Sequence, residues 1–494
     1  MRIASLVTLI ALLSLTAAQA ATTYTVTSTA DSGPGTLRTV IGTLNADTGE
    51  NVFTIAFNVG SNQTIAVNSN LSAIGRSGTI VAIDGAGSPG LRIDGQGTAR
   101  LLFSSRNALF NVRDLALARG SAAGGGCLRS GSTGENGSPM IVTRVLFSDC
   151  VGSTEGGGAI YATSQLNVTD SVFLDNRVNG ISGIAAGGGA IAKSGAGNLI
   201  VEGSAFIDNR VVGDGGTNAS MLGGAIYIAD SSLSHSVRSS WFSGNRALNP
   251  GGAIGGYGGA IHLERGGLGV ERSFFRGNHA DREGGSISVA AFAGPSATRA
   301  LRLRNSSFES NTAPTGGAIM FANYGNQNGV LDIRNSLFQL NRADTSLGHS
   351  IYILSGAGSM NLSHTAFGAR GVAGTSPGTH CAGGTATTHN ANAVLQGNSL
   401  GCSATATTFS TLGLVGTEPA LPADFPVAYA IAPTSPLIDA GAAGAGSIAD
   451  PSACLDLDAA SVLRPQSGIY GGPIRCDIGP VEFIGPMFRD GFEG

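Results

Sequence analysis

Gly223-Gly224-Ala225-Ile226, followed downstream by Phe242 and Asn245, is one copy of the repeat that decides the fold. The first half, Gly-Gly-Ala-Ile, stands at residues 157–160, 188–191, 223–226, 258–261, 284–287, 316–319 and 348–351. One copy has Ser in place of Ala, and the last copy is degraded. The second half, Phe-x-x-Asn, stands at Phe173 and Asn176, Phe206 and Asn209, Phe242 and Asn245, Phe275 and Asn278, Phe308 and Asn311, and Phe338 and Asn341. Successive phenylalanines lie 30 to 36 residues apart. A fixed period of this size predicts a stacked solenoid, because one unit cannot bury its own apolar face.

Each repeat predicts two short β-strands. The Ile points inward on the first strand, with the residue two positions later buried beside it. The Phe points inward on the second strand, and Asn is predicted in the tight turn that follows because it tolerates the left-handed conformation. Coils stacked about 4.8 Å apart place each Phe on the next Phe and each Asn amide on the next Asn. The sequence therefore predicts an all-β parallel β-helix, a single-stranded solenoid of roughly a dozen coils.

The composition is typical of short strands joined by turns. Glycine supplies 77 of 494 residues and charged residues make up only 12% of the chain. Glycine has no Gly-X-Y period, which excludes collagen. The net charge of −4 argues against nucleic acid as a partner.

The first 20 residues have the features of a secretory signal peptide. Arg2 supplies the positive start, residues 4–17 are apolar, and Ala18-Gln19-Ala20 is a small-x-small cleavage site. The apolar run is too short to span a bilayer, and we expect no transmembrane helix after signal removal. The sequence therefore predicts an exported protein.

Six cysteines in an exported protein indicate a disulfide-permissive compartment. They fall into three local pairs: Cys127 with Cys150, Cys381 with Cys402, and Cys454 with Cys476. The separations of 23, 21 and 22 residues are close to one turn of a compact solenoid, so we expect each pair to staple neighbouring coils. This connectivity is one of several that six cysteines allow.

The pattern divides the chain into six segments. They are a signal peptide (1–20), an N-terminal strand and helix cap (21–60), the β-helix with its repeats (61–370), Gly/Thr/Ala-rich last coils (371–430), a disulfide-stapled C-terminal cap (431–484) and a tail (485–494). In the first cap, Thr36 is a candidate helix N-cap. Leu37, Ile41 and Leu44 share one face of the short helix that follows. Such a cap covers strand edges that otherwise invite aggregation.

The paired Gly-Gly-Ala-Ile and Phe-x-x-Asn motifs resemble the repeats of the polymorphic outer-membrane protein family. Asp31-Ser32-Gly33-Pro34-Gly35-Thr36-Leu37-Arg38 resembles the capping segment common in bacterial secreted β-helix proteins. Ser435-Pro436, Asp439-Ala440-Gly441 and Cys476-Asp477-Ile478-Gly479 resemble the choice-of-anchor Q module. These resemblances imply a right-handed parallel β-helix at the extracellular or outer-membrane surface of a Gram-negative bacterium, with an adhesin-like role by analogy.

Two rows of side chains are candidates for a binding surface. The residue after each Ile is predicted to face outward, and the ring-bearing members of this row are Tyr161, Tyr227, His262 and Tyr352. Such rings stack on the apolar faces of sugars. The residue after the ladder Asn gives a cationic row suited to an acidic glycan, with Arg177, Arg210, Arg246 and Arg342. For each row, the favoured alternative is a purely structural position at the edge of the stacked coils. The arginines would then bond turn carbonyls or nearby aspartates.

An enzyme is the principal alternative to a binding protein, because parallel β-helices often carry polysaccharide lyases and glycoside hydrolases. A glycosidase needs two carboxylates that flank the bond. The carboxylates singled out on the central coils stand apart in the repeat: Asp175, Asp208, Glu264 and Glu309. A weak Ca²⁺ candidate consists of Asp456, Asp458 and Asp477, for which a structural role in the closing cap is favoured.

The sequence thus favours an exported, non-catalytic, monomeric β-helix without a cofactor. Its predicted partner is an extracellular or cell-surface polysaccharide, or a host surface. This partner is expected to bind along a long face of the solenoid. A polysaccharide lyase or glycoside hydrolase on the same scaffold is the first alternative. A purely structural surface protein is the second.

Overall fold

A computed structural model describes residues 21–412 with short gaps, and a few residues beyond them. The gaps are 105, 132–136, 181–183, 217–218, 230–234, 253, 291–298, 323–328, 355–358, 372–377, 385–387, 391, 397 and 405, and the later residues are 414–415, 430–431, 435–437, 478 and 480. The described residues form one α-helix and 46 strands. All strand pairs except one short pair are parallel. The predicted all-β parallel β-helix is confirmed, with ten turns stacked at the isoleucine strands.

The isoleucine strands form a ten-stranded parallel sheet, called here the isoleucine sheet. Its strands are Leu102–Ser104, Leu128–Ser130, Ile160–Ala162, Ile191–Lys193, Ile226–Ile228, Ile261–Leu263, Ile287–Val289, Ile319–Phe321, Ile351–Ile353 and Cys381–Ala382. The isoleucines at the first position of these strands are all fully buried. Their alignment in adjacent coils follows directly from the period of the sequence.

The largest sheet has 24 strands, two from most coils, and is called the phenylalanine sheet. Its strands are Thr22–Val26, Val52–Phe57, Thr64–Ala66, Ile80–Asp84, Arg92–Asp94, Leu109–Ala118, Met140–Ser148, Leu166–Thr169, Val172–Leu174, Leu199–Glu202, Ala205–Ile207, His235–Arg238, Trp241–Ser243, Gly266–Glu271, Phe274–Arg276, Arg299–Arg304, Ser307–Glu309, Val330–Arg334, Leu337–Gln339, Ser359–Ser363, Ala366–Phe367, Thr388–Asn390, Ala393–Leu395 and Thr407–Phe409.

The third long sheet, called the arginine sheet, follows the ladder asparagines. Its strands are Val151–Gly152, Arg177–Asn179, Arg210–Val212, Arg246–Leu248, His279–Ala280, Thr312–Thr315 and Arg342–Leu347. A three-stranded sheet, Ala186–Gly187, Met221–Leu222 and Gly256–Tyr257, lies between the arginine and isoleucine sheets in chain order. The single antiparallel pair is Leu414–Val415 with Ala430–Ile431.

Eight phenylalanine rings stack face to face inside the phenylalanine sheet. Neighbouring ring centroids are 4.6–5.3 Å apart, and neighbouring ring planes lie within 10° of each other. The rings belong to Phe147, Phe173, Phe206, Phe242, Phe275, Phe308, Phe338 and Phe367, all fully buried. The ring separation matches the spacing of hydrogen-bonded strands, so the register of the sheet holds the rings in contact.

The ladder asparagines are buried and joined by their side-chain amides. Along the row, each Nδ2 donates to Oδ1 of the next Asn at 2.9–3.0 Å and to a Phe carbonyl of the preceding coil at 2.8–3.1 Å. Each Oδ1 also accepts the backbone N–H of the preceding Asn. The row consists of Asn176, Asn209, Asn245, Asn278, Asn311 and Asn341. The amides satisfy backbone groups that would otherwise be buried without partners.

The prediction that Asn itself takes the left-handed conformation is wrong. The residue before each Asn has the positive φ, as at Asp175 and Asp208 (+52° each) and Gly244 (+66°). This residue turns the chain so that the following Asn points into the interior. Aspartate and glycine tolerate this region of φ.

The glycine pair is required by backbone conformation and by space. The first glycine of the central copy, Gly223, has φ +63°. A Cβ on the second, Gly224, would lie 2.0 Å from the carbonyl oxygen of Gly259 in the next coil. Only glycine therefore lets successive coils approach this closely at the entrance to the isoleucine sheet.

The repeat begins one coil earlier than the Gly-Gly-Ala-Ile pattern indicates. Leu128 pairs with Ile160, and Phe147 stacks on Phe173 at 4.8 Å. Residues 125–128 (Gly-Gly-Cys-Leu) and 147–150 (Phe-Ser-Asp-Cys) are thus a further copy, with Cys in the Ala and Asn positions. The Cys150 backbone N–H donates to Asn176 Oδ1 at 3.0 Å, as a ladder Asn would.

Two of the three predicted disulfides are formed, Cys127–Cys150 and Cys381–Cys402. The third pair, Cys454 and Cys476, lies outside the described residues. Disulfide bonds fit an oxidising compartment, as in exported or extracellular proteins. Within the described residues, no helix has both the length and the apolar character needed to cross a bilayer.

The N-terminal helix covers the first coil. It spans Leu37–Ala46, and the Thr36 hydroxyl accepts the backbone N–H of Thr39 at 3.3 Å. Leu37, Ile41 and Leu44 are buried on one face of the helix. The helix packs against strands Thr22–Val26 and Val52–Phe57. The predicted signal peptide, the predicted tail and most of the predicted C-terminal cap lie outside the described residues.

His380, in the last coils, is expected to make stability depend on pH. Its Nε2–H donates to the Gly368 carbonyl at 3.1 Å, so Nδ1 accepts from the Ser350 hydroxyl at 2.9 Å. Burial lowers the pKa of His380 to about 3, assisted by Arg370. Between pH 6.5, the ordinary pKa of histidine, and pH 3 the unfolded chain therefore binds a proton that the folded chain does not. Stability is full above this window and falls as pH decreases through it.

Replacement of His380 by Gln tests this expectation. Between pH 7 and pH 5 the wild-type protein should lose about 2 kcal/mol more unfolding free energy than the variant. Urea unfolding at the two pH values measures both losses. Equal losses in the two proteins would show that His380 is not buried in the neutral form.

Candidate functional site

The residues after the isoleucines align in one row on the outer side of the isoleucine sheet. This outer row consists of Tyr161, Ala192, Tyr227, His262, Ser288, Met320 and Tyr352, each paired in register with the next. Most of its members are covered: Tyr161 is 4% exposed and His262 is 3% exposed. The row is therefore not an open aromatic face, and only part of it borders a cavity.

Tyr161 is engaged by neighbouring side chains. The Arg129 guanidinium lies over its ring, 4.9 Å from the centroid, and Arg129 pairs with Glu155. The Tyr161 hydroxyl is 3.2 Å from the Ser194 hydroxyl. Tyr352 is half-buried in the row beyond Met320 and outside the cavity described next. The structure thus brings only Tyr227 and His262 together among the four predicted ring residues.

A cavity of about 550 Å³ lies over the central coils and is called here the tyrosine pocket. Its lining residues are Ala185, Ser220, Leu222, Tyr227, Tyr257, His262, Glu264, Arg282, Glu283, Ser288, Ala290 and Met320. Outer-row residues form one side of it. The other side includes residues that immediately precede the glycine pairs, called the pre-glycine row: Gly187, Leu222, Tyr257, Glu283 and Thr315. Because both rows run from coil to coil in parallel register, the pocket spans several successive coils.

Tyr227 and Glu264 are hydrogen-bonded within the pocket. The Tyr227 hydroxyl donates to the Glu264 carboxylate, and Arg265 lies 3.4 Å from the same carboxylate. Burial raises the pKa of Tyr227 far above its ordinary value, and the Glu264 charge adds to this effect. The phenol therefore stays protonated and remains a donor at neutral pH.

His262 is enclosed by the two tyrosine rings. Its ring is stacked with Tyr227 at a centroid distance of 6.0 Å and meets Tyr257 edge-on at 6.1 Å. The three rings come from different backbone positions, since Tyr227 and His262 belong to the outer row and Tyr257 to the pre-glycine row. They form a compact aromatic wall with an imidazole between two phenols.

Arg282 and Glu283 line the pocket next to Tyr257. The Arg282 guanidinium lies 5.8 Å from the centroid of the Tyr257 ring and 3.6 Å from the Glu283 carboxylate. Burial raises the pKa of the Glu283 carboxyl, although the Arg282 charge opposes the shift. The pocket therefore combines aromatic surface with two carboxyl groups and one guanidinium.

The predicted cationic row is in register but its charge is partly neutralised. Arg177, Arg210 and Arg246 pair in adjacent strands, followed by His279, Thr312 and Arg342. Arg210 lies 3.5 Å from Asp175, and Arg342 lies 2.9 Å from Asp344. Burial lowers the pKa of His279, so its ring is neutral at pH 7. The row is interrupted and is a weaker anion-binding surface than the sequence suggests.

The weak calcium candidate, Asp456, Asp458 and Asp477, falls outside the described residues. In the part of the chain that is described, no three His, Cys, Asp or Glu side chains are grouped to hold a metal ion.

Three ring-bearing or charged residues of the pocket were not predicted from the sequence: Tyr257, Arg282 and Glu283. Tyr257 and Glu283 each stand directly before a Gly-Gly pair, and this position places them in one row facing Tyr227 and His262. The position before the glycines is the signal that could have identified them. Its residues vary from copy to copy, whereas the Gly-Gly-Ala-Ile and Phe-x-x-Asn positions are nearly constant.

Comparisons with protein-family models, with curated proteins and with solved structures find no match to this chain.

Proposed function

We propose that this protein is an exported β-helix that binds a glycan chain over its central coils, with the tyrosine pocket as its principal sugar site. The observation that carries the proposal is the lining of the pocket, where tyrosine rings stand beside two carboxyl groups and a guanidinium. Rings offer apolar surface to the faces of a sugar, and the charged groups offer hydrogen bonds to its hydroxyls. A cavity of mostly apolar lining with a few polar groups is typical of ligand sites.

The position of the pocket supports a polymeric ligand. It spans several coils, from Leu222 through Tyr257 and Glu283 to Met320. A pocket that extends over several coils suits an extended chain whose neighbouring sugars lie on successive coils. The interrupted charge of the arginine sheet favours this pocket over that sheet as the binding site.

The surface location is part of the same proposal. The signal-like N-terminus and the disulfides support export, and the resemblance to polymorphic outer-membrane proteins supports attachment at the surface of a Gram-negative bacterium. In that setting the ligand is an extracellular or cell-surface polysaccharide, and an adhesin-like role follows from binding it.

Replacement of Tyr257 by Ala is expected to weaken glycan binding about tenfold, or about 1.4 kcal/mol. The change removes a ring from the pocket wall and leaves the isoleucine and phenylalanine sheets intact. Isothermal titration of the mature protein with neutral, amino-sugar and uronic-acid oligosaccharides measures the affinity.

Tyr352→Ala is the matched control, because Tyr352 lies in the outer row but outside the pocket. Its affinity should equal that of the wild type. An equal loss in both variants would place binding elsewhere on the solenoid. No binding by the wild type to any oligosaccharide would favour a purely structural surface protein.

A further inference from the structure

The tyrosine pocket contains two carboxyl groups in different surroundings. Glu264 follows the isoleucine strand Ile261–Leu263, and Glu283 lies in the pre-glycine row of the next coil. Their side chains are 25% and 24% exposed, so both are partly buried and both reach solvent through the pocket. Both line the tyrosine pocket although they are 19 residues apart in the chain.

The Glu264 carboxyl group is held in place by two neighbours. It accepts a hydrogen bond from the Tyr227 hydroxyl and has the Arg265 guanidinium 3.4 Å away. These contacts hold the carboxyl group at the wall of the pocket, where it can accept a proton from water.

The surroundings of Glu283 favour its neutral form. The Arg282 guanidinium lies 3.6 Å from its carboxyl group and is also close to the Tyr257 ring. Burial raises the pKa of Glu283 despite this neighbour. A carboxyl group that holds its proton more strongly than usual is suited to act as the acid beside a second carboxyl group.

From this cavity and its two carboxyl groups we infer that the pocket hydrolyses a glycosidic bond of the bound glycan, with Glu283 as the acid and Glu264 as the base. The inference rests on the proposed glycan binding. It departs from the sequence-based preference for a non-catalytic protein, which counted Glu264 as isolated and did not consider Glu283. Hydrolysis by a pair of carboxyl groups needs no metal or organic cofactor.

The reaction balances with water as the only co-reactant. Glu283 donates its proton to the leaving glycosidic oxygen, which keeps the electron pair of the breaking bond to the anomeric carbon. A water oxygen bonds to that carbon while one of its protons passes to Glu264. One water is consumed for each bond cleaved, and proton exchange with solvent restores both carboxyl groups.

Tyr227 is a positioning residue in this scheme, because it acts through Glu264. Its hydroxyl donates to the carboxylate and holds it in one orientation. Removal of the hydroxyl alone should therefore lower the rate of the reaction and leave glycan binding and the fold unchanged.

To test this inference, the mature protein is incubated with xylan, polygalacturonate, alginate and chitin oligosaccharides. New reducing ends and binding are both measured. At least one polymer should be shortened by the wild type. Glu283→Gln and Glu264→Gln should each lower the rate at least about 100-fold while the polymer still binds. Glu202→Gln, an exposed carboxylate on the phenylalanine sheet, should leave the rate unchanged.

Tyr227→Phe supplies the second readout. Its rate should fall while its affinity for the polymer stays that of the wild type, because Glu264 loses only the donor that orients its carboxylate. Thermal unfolding of each variant establishes that it is folded before its rate is compared.

The outcomes separate the two proposals. Binding without cleavage by the wild type would overturn the hydrolysis and leave glycan binding standing. Cleavage that survives both Gln variants, or products that absorb as unsaturated sugars, would overturn the assignment of these residues to hydrolysis. Failure to bind any polymer would overturn the proposed function itself.

Discussion

Phe242→Ala is expected to lower the free energy of unfolding by about 3–5 kcal/mol. The ring is fully buried, and its centroid lies 4.7 Å from those of Phe206 and Phe275. Because the neighbouring rings are fixed by their own strands, they cannot move far enough to fill the cavity. Urea unfolding followed by circular dichroism measures the loss.

Ile207→Ala is the control for this variant. Ile207 is half-buried on the outer side of the same sheet and pairs with Ser243, the residue after Phe242. Its truncation should cost less than about 1 kcal/mol. Similar losses in the two variants would mean that the phenylalanine stack contributes no more to stability than the outer side of the sheet.

The features that depend on the period alone were predictable. A motif repeated at nearly constant spacing aligns its own copies, so the stacked Phe242 and the buried Ile226 follow from the sequence. The N-terminal helix was also predictable, because Thr36 and the spacing of Leu37 and Ile41 are local signals. Local signals and strict repeats need no knowledge of distant contacts.

The features that depend on hydrogen bonding between coils were harder to predict. The left-handed residue is Asp208 and not Asn209, because the Asn side chain is needed inside the stack. A serine two residues before each central Phe forms a second ladder, as where the Ser171 N–H donates to Ser204 Oγ at 3.1 Å. Neither feature leaves a periodic pattern of hydrophobicity.

The site was only partly predictable. The outer row was identified correctly as a line of aligned residues, but its burial depends on the neighbouring strands and turns and not on the repeat. Glu283 and Tyr257 occupy a position where the copies differ, so a search for shared residues passes over them. Residues that vary at a fixed position of a solenoid are where one coil can acquire a function that the others lack.

The repeat also explains how such a site is held. Tyr227, His262 and Glu283 come from three consecutive coils, and each coil is fixed to the next by the phenylalanine stack and the asparagine ladder. A pocket built from several coils therefore depends for its rigidity on the phenylalanine stack and the asparagine ladder. A substitution in the asparagine ladder at these coils should disturb the pocket even though the ladder lies inside the solenoid.

Asn245→Leu is expected to lower the free energy of unfolding by about 3–6 kcal/mol. Asn245 Nδ2 donates to the Phe206 carbonyl at 2.9 Å, and its Oδ1 accepts both the backbone N–H and the side-chain amide of Asn209. Leucine has a similar size but leaves these buried groups without their partner, at a cost of about 1–3 kcal/mol each. Urea unfolding measures the loss, and Asn179→Leu, at an exposed position of the arginine sheet, is the control.

Asn245→Asp distinguishes a lost hydrogen bond from a packing defect. The shape is retained, but an ionised Asp cannot donate to the Phe206 carbonyl and carries a charge into a fully buried position. Its folded-state pKa should therefore rise above about 3.9, the value in the unfolded chain. The stability deficit should then grow by up to about 1.4 kcal/mol for each pH unit above that value, until the folded-state pKa is reached. A deficit that does not change with pH would show that the amide at this position is not required as a donor.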